Sequence, residues 1–218
     1  MSPSTDRAAE ELFQELSALS STIISDALGR SGGMDHAIRP MYPGARCCGP
    51  AYTVKNAAKD NLMSHYALKH SRPGDVLVLD CSCGRHGSGW GELMSLAAKH
   101  KGLGGIVIDG TVRDIHQLPE IGFPVFARGV QAEGTVKSTP GEVAGPVCCG
   151  GVTVLPGDVV LGDENGVVVV PRDRAEAVLE AARHLQAKEE GIRRRILKGE
   201  TLYDILGLNS IFPESSEE

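Results

Sequence analysis

The stretch VLVLDCSCGRHGSGWGELMSLAAKHKGLGGIVIDGTVRD, residues 76 to 114, carries the reading of the fold. It opens on the apolar run Val76 to Leu79, crosses the glycine-rich loop GRHGSGWG, and continues as ELMSLAAKH. It closes on a second apolar run, GIVID (105 to 109), and the loop GTVRD. A strand, glycine loop, helix and strand in this order form the repeating unit of an α/β sheet. The runs AYTV (51 to 54) and PVFA (124 to 127) read as further strands between turn signals. Pro73-Gly74-Asp75-Val76 and Pro156-Gly157-Asp158-Val159 each place a tight turn ahead of a strand. Asn165-Gly166 between apolar runs predicts a hairpin, which makes the sheet mixed.

Both ends read as helical. Leu12, Phe13, Leu16 and Leu19 recur at helical spacing within residues 6 to 19. A second short helix spans Thr22 to Leu28 before the Gly32-Gly33 break. Together they predict an N-terminal helical cover over residues 1–30. Pro171 ends the last strand, Asp173 is the expected N-cap, and a long helix follows to about Leu197. Its apolar stripe is Ala175, Val178, Leu179, Ala182, Leu185, Ile192 and Ile196. On a wheel of about 100° per residue, Glu189 falls between Leu185 and Ile192, whereas Glu190 points away. An acid on the buried side of a helix calls for a partner or a function.

A chain of 218 residues fits one domain, 1–218. Hydrophobic residues at 41% and charged residues at 23% exclude a disordered chain. The formal net charge is −6, and basic residues are dispersed apart from Arg193, Arg194 and Arg195, which excludes nucleic acid as the main partner. No run approaches the roughly 20 apolar residues that span a bilayer, and the N-terminus MSPSTDRAAEELF lacks a signal-peptide pattern. The expected location is the cytoplasm, with no membrane partner. Six cysteines occur as Cys47-Cys48, Cys81-x-Cys83 and Cys148-Cys149. Such spacings suit neither a disulfide framework nor a CxxC zinc site, and predict reduced thiols.

The span Gly89 to Met94 offers backbone N–H groups at a helix N-terminus, a natural seat for a carboxylate or phosphate. Glu92 would repel an anion there unless a cation sits between. The spacing G-x-G-x-x-G is absent, because Gly87 and Gly89 would need a third glycine at Glu92, and Gly89 and Gly91 one at Met94. Dinucleotide binding is disfavoured; a looser methyltransferase-like loop stays compatible with Asp109 at the end of the next strand. Asp109, Gly110, Arg113 and Asp114 cluster after that strand, where α/β proteins place their sites. Arg113 offers a planar donor fork and Asp114 a hard oxygen ligand suited to magnesium or manganese. A surface ion pair explains the same two residues. His65, His86 and Lys55 have no readable partner and read as solvent-facing or structural, while Cys81 and Cys83 near the proposed pocket read as small buried thiols.

The pattern GxxWGELxxxAAxxxGxxGxVxDGxVRD, from Gly87 to Asp114, resembles the central signature of the RraA-like proteins and the 4-hydroxy-4-methyl-2-oxoglutarate aldolases. The likeness extends through GPAYTV (49 to 54), Asp60-Asn61, FPVFARG (123 to 129), VTVLPGDVVLGDENGVVVVP (152 to 171) and KEEGIRRRILKGE. Lys59 and Gly89 depart from residues common in the family at those places. The resemblance implies an α/β fold of the swivelling β/β/α kind, a homotrimer or hexamer with active sites between subunits, and a divalent metal, magnesium or manganese. It implies that Asp114 ligates the metal, that Arg113 contacts pyruvate and its enolate, and that Gly91, Glu92, Leu93 and Met94 hold the pyruvate carboxylate, with Glu92 facing the metal through water. It also implies a catalytic glutamate from the C-terminal helix (173–198) of a neighbouring subunit, for which KE points to Glu189. The activity implied is retro-aldol release of pyruvate from a 4-hydroxy-2-oxo acid of the 4-hydroxy-4-methyl-2-oxoglutarate or 4-carboxy-4-hydroxy-2-oxoadipate type, with oxaloacetate decarboxylation. The other readings the family allows are a non-catalytic regulator that binds a ribonuclease, and a methyltransferase.

Overall fold

The computed structural model describes residues 3–81 and 87–212, with side-chain placement from residue 10. Cys83 and His86 lie outside the described residues. Helices α1 (Pro3–Ser17) and α2 (Ser21–Ala27) lead into strands β1 (Arg39–Pro40) and β2 (Cys47–Lys55). Then come α3 (Leu62–His70), β3 (Val76–Asp80), β4 (Ser88–Trp90), α4 (Glu92–Lys101), β5 (Gly105–Val112), α5 (Leu118–Ile121) and β6 (Val125–Val130). Short strands β7 (Glu142–Val143), β8 (Val147–Cys149) and β9 (Val152–Val154) precede β10 (Val159–Asp163), β11 (Gly166–Val170), α6 (Ala175–Ile196) and α7 (Leu202–Ile205).

The main sheet runs β1-β6-β5-β3-β2-β10-β11, with β4 added on β5 and β7 on β2. Its centre is parallel, β2 to β3 to β5 to β6, and the outer pairings of β1, β10 and β11 are antiparallel. The sheet is therefore mixed, as the sequence predicts. Arg39 Nη1 donates to Asn165 O at 3.5 Å, so the two edges approach each other. Period-2 alternation on β3 sends Val76 and Val78 into one apolar cluster and Leu77 and Leu79 into another, all fully buried. Burial on both faces is what a central parallel strand requires. Leu16 of α1 and Ile24 of α2, with Leu19 and Leu28 just past the ends of these helices, form a third cluster with Val178, Leu179 and Ala182 of α6 against β10 and β11.

The two Pro-Gly turns share one device. Gly74 (φ 86°) and Gly157 (φ 85°) take the left-handed turn position. Asp75 Oδ2 accepts from Arg72 N at 2.7 Å, and Asp158 Oδ2 accepts from Leu155 N at 2.8 Å.

Three local expectations are corrected. The β10–β11 hairpin turns on Glu164-Asn165, one residue early, because Asp163 Oδ1 accepts from Asn165 N at 2.9 Å and Gly166 already pairs with Asp163. Asp173 does not cap α6: residues Arg172–Arg174 form a 3-10 turn, and the helix begins at Ala175. Arg172 N is instead satisfied by Asp158 Oδ1 at 3.1 Å. Finally, only the first half of the α6 stripe is buried in this chain, through Ala175, Val178, Leu179 and Ala182. Glu189 is exposed, as is Ile196 at 44%. Among the described residues, no helix is long and apolar enough to cross a membrane.

Candidate functional site

A cavity of about 400 Å³ opens where the end of β5, the start of α4, the start of α3 and the segment after β6 converge. Gly91, Glu92, Leu93, Met94, Arg113 and Asp114 all line it. The chain leaves β5 after Val112, and Arg113 N donates to Trp90 O at 3.0 Å, tying the two loops together. Asp114 sits in the left-handed region at φ 59°, a conformation aspartate tolerates better than most residues. Its Oδ2 accepts from Glu92 N at 3.2 Å and lies 3.5 Å from Arg113 Nε. The carboxylate thus rests on the positive end of α4 beside a guanidinium, two favourable fields for a negative group.

Gly91 has an extended backbone that any residue adopts, so sterics explain the glycine. A Cβ there would lie 2.5 Å from Asp114 Oδ2 and 3.1 Å from Arg113 Cγ. Beyond it, the first turn of α4 leaves the N–H groups of Leu93 and Met94 without intrahelical acceptors, while Ser95 N already bonds Gly91 O at 3.0 Å. Trp90, buried at 1% exposure, donates Nε1 to Ser95 Oγ at 2.8 Å and fixes the floor. Leu93 is 77% exposed and Met94 8%, so one apolar side chain stands at the rim and the other inside.

The opposite wall is the segment following β6. A Cβ on Gly134 would meet Arg113 Nη1 at 3.1 Å, so this segment lies directly on the guanidinium. Asp60, 4% exposed, anchors it: the carboxylate accepts from Ser138 N (2.8 Å), Ser138 Oγ (3.2 Å) and Thr139 N (2.8 Å), and from Leu62 N (2.8 Å). Burial raises the Asp60 pKa, but these donors outweigh it and hold the group down at about 2. A depressed carboxylate contributes stability that is fully present above its unfolded pKa and is lost as pH falls through the folded value. Asp60→Asn should therefore be less stable than wild type near pH 6, with the gap closing between about pH 4 and 2. Melting temperatures measured across that range check this; a gap independent of pH would mean the charge is not what anchors the segment.

The same wall and the start of α3 bring in residues to which the sequence reading gave no role at the site. Lys137, Thr135, Gly134, Asn61 and His65 all line the cavity. Of these, Asn61 was visible only as part of the Asp60-Asn61 likeness. Lys137 and Gly134 lie in a segment without periodicity, so no sequence signal pointed to them. Desolvation by burial and then the positive Lys137 lower the His65 pKa, which keeps the imidazole neutral near pH 7.

Asp109 is separated from Arg113 and Asp114. It lies inside β5 and belongs to a structural ion chain: Arg128 Nε donates to Asp109 Oδ1, Arg128 Nη1 reaches Asp35 Oδ2 at 2.8 Å, and Gly150 N donates to Asp109 Oδ2 at 2.7 Å. Cys81 is a half-buried thiol, pushed up to about 12 by desolvation and by Asp80 and Asp109. Cys47, Cys48, Cys81, Cys148 and Cys149 are all free. Lys55 ends β2, paired with Asp80 and Glu142 in the strand ladders, away from the cavity lining. Glu189 does not line the cavity of its own chain.

Among the described residues there is no group of three or more His, Cys, Asp or Glu side chains placed to hold a metal. The cavity does carry two hard oxygen donors, Asp114 and Glu92. One or two carboxylates, completed by water and ligand oxygens, suit magnesium or manganese and are too few for a closed zinc site.

The RraA-like family model, described as Aldolase/RraA, matches residues 21–169. A protein of Halalkalibacterium halodurans with the provisional name 4-hydroxy-4-methyl-2-oxoglutarate aldolase is 35% identical over 190 residues, covering 87% of this chain and 90% of that protein. An uncharacterized protein of Pseudomonas syringae superposes with a TM-score of 0.82 at 33% identity, covering 90% of this chain and 92% of that one. Streptomyces coelicolor RraAS2, described as an unusual member of the RNase ES inhibitor RraA family, superposes with a TM-score of 0.76 at 30% identity, over 85% of this chain and 98% of that one. This chain belongs to the RraA-like, Aldolase/RraA family.

Proposed function

We propose that the protein is a carbon–carbon lyase that releases pyruvate from a 4-hydroxy-2-oxo acid, uses magnesium or manganese, and also decarboxylates oxaloacetate. The observation that carries this reading is the meeting of Arg113, Asp114 and the N-terminus of α4 around one cavity. In this reading the substrate carboxylate sits on the N–H groups of Leu93 and Met94 at the positive end of the helix. Arg113 faces the oxo oxygen and neutralises charge arriving there, with its fork held from behind by Gly134. Asp114 would hold the metal, with Glu92 facing it through water. When bound, a divalent ion supplies positive charge that polarises the oxo group.

Retro-aldol cleavage removes the proton of the C4 hydroxyl, breaks the C3–C4 bond, and moves that electron pair into the enolate of pyruvate, which then takes a proton at C3. Glu189 of the partner subunit, in a trimer or hexamer with shared sites, is our candidate for the base. Decarboxylation of oxaloacetate needs no such base, because carbon dioxide departs directly. A regulator that only docks on a ribonuclease is the alternative supported by the likeness to RraAS2. A binding protein has no need of Arg113 and Asp114 at a cavity.

The deciding experiment is a pyruvate-release assay over a panel of 4-hydroxy-2-oxo acids and oxaloacetate, with magnesium, manganese or a chelator. Release that requires metal supports the lyase; none with any acid removes it. Glu189→Gln should slow retro-aldol cleavage at least about tenfold more than oxaloacetate decarboxylation. Mixing Asp114→Asn and Glu189→Gln subunits should restore aldol activity at some interfaces. Equal slowing of both reactions would remove Glu189 as the base, and no recovery after demonstrated subunit exchange would remove the shared site.

A further inference from the structure

Two buried polar atoms at the cavity have no hydrogen-bond partner among the described residues: Asn61 Oδ1 and His65 Nε2. Both residues line the same cavity, Asn61 immediately before α3 and His65 in its first turn. Asn61 occupies the N-cap position, without a side-chain cap bond, and its backbone carbonyl accepts from His65 N at 3.2 Å, so the two stand one turn apart at i and i+4. A buried donor or acceptor left unpaired is costly, and two such atoms on residues that line one cavity call for a ligand.

The chemistry of that ligand follows from the atoms. Asn61 Nδ2 faces Gly89 O at 3.2 Å and Met94 Sδ at 3.7 Å, both acceptors. The oxygen is therefore the end left over, and it can only accept. His65 is neutral, so one ring nitrogen donates and the other accepts. A carboxylate would present lone pairs to Asn61 Oδ1 and be repelled. An alcohol fits: its hydrogen goes to Asn61 Oδ1, and its oxygen accepts from His65 Nε2 in the tautomer that carries the proton there. We propose that Asn61 and His65 form a hydroxyl-reading pair that selects 2-oxo acids carrying an alcohol at C4 over those that lack one. This deepens the lyase reading and rests on it for the identity of the 2-oxo acid. Asn61 is no base; it holds the hydroxyl in register and yields the proton when the base takes it.

The test uses ligands that cannot be cleaved, because reduction of the 2-oxo group removes the electron sink. Calorimetry in magnesium buffer compares 2,4-dihydroxyglutarate with 2-hydroxyglutarate, which differ by the C4 hydroxyl alone. Wild type should bind the dihydroxy acid about tenfold tighter, the factor expected from one well-made buried hydrogen-bond pair. His65→Leu should erase this preference while binding 2-hydroxyglutarate as wild type does, and His65→Gln, which keeps a donor, should restore part of it. Circular dichroism and melting temperature separate these effects from misfolding. No preference in wild type, or equal weakening of both ligands in His65→Leu, overturns the pair. A hydroxyl preference that disappears in His65→Leu, in a protein that releases no pyruvate from any acid, upholds the pair and removes the lyase.

Discussion

Asp114→Asn is expected to lower metal-dependent pyruvate release by about a thousandfold or more, with the melting temperature and oligomer nearly unchanged. Two local facts make asparagine the informative substitution. Asp114 occupies φ 59°, where asparagine is tolerated and alanine costs about 1–2 kcal/mol. Its Oδ2 also accepts from Glu92 N at 3.2 Å, a contact that an amide oxygen reproduces. The variant therefore keeps the turn and the helix cap and loses only the negative charge and the hard ligand. Activity in metal-controlled buffer is the primary readout. Near-normal release by Asp114→Asn would show that the carboxylate serves to cap α4 and carries no part of the chemistry, which would also undo its assignment as the metal ligand.

The fold was legible where burial follows a simple period. Val76 to Leu79 alternate between two apolar clusters, and both runs flanking the glycine loop appear as paired parallel strands. It was less legible where a side chain competes for the backbone. Asp163 draws Asn165 N into its carboxylate and shifts the hairpin by one residue; Asp158 takes Arg172 N and leaves Asp173 no cap to make. Half of the candidate site was likewise readable, because Gly91 to Met94 and Arg113-Asp114 flank one helix and one strand of a single local unit. The other half was not, because Asn61, His65, Gly134 and Lys137 come from distant segments joined through the Asp60 carboxylate. No spacing within one segment encodes such a bond. Asp109 shows the converse error: it lies five residues from Asp114 in sequence, yet it is committed to Arg128 and Gly150.

Glu189 illustrates a different limit. The helical wheel places it within an apolar stripe, but in this chain full burial of that stripe stops at Ala182; Leu185 and Ile192 are half-buried and Ile196 is 44% exposed. In the proposed shared-site oligomer, a second subunit would cover the remainder of this stripe. The subunit-mixing experiment tests that inference through the base, independently of any measurement of oligomer size.

Gly91→Ala and Gly89→Ala, two residues apart in one loop, should behave oppositely. At Gly89 an added Cβ meets nothing nearer than Cys81 Sγ at 4.0 Å, ordinary contact, so this variant should keep catalytic efficiency within about threefold of wild type. At Gly91 the same methyl group would stand 2.5 Å from Asp114 Oδ2 and 3.1 Å from Arg113 Cγ. The backbone at Gly91 is extended, so alanine adds no dihedral strain and the whole effect must come from displacing the two side chains. Relief requires the Asp114 carboxylate to swing away from Glu92 N, or the α4 terminus to retreat from the loop carrying Arg113. Either movement spoils the register between the carboxylate seat and the guanidinium, and a shift of about 1 Å costs on the order of a hundredfold in rate. Gly91→Ala should therefore lose about a hundredfold in kcat/KM, with overall stability lowered far less in proportion. Steady-state kinetics on both variants, alongside their melting curves, make the comparison. Equal activity of Gly91→Ala and Gly89→Ala would mean that the close approach of Gly91 to Asp114 does not set the site, and that the glycine serves only to let α4 pack against β5.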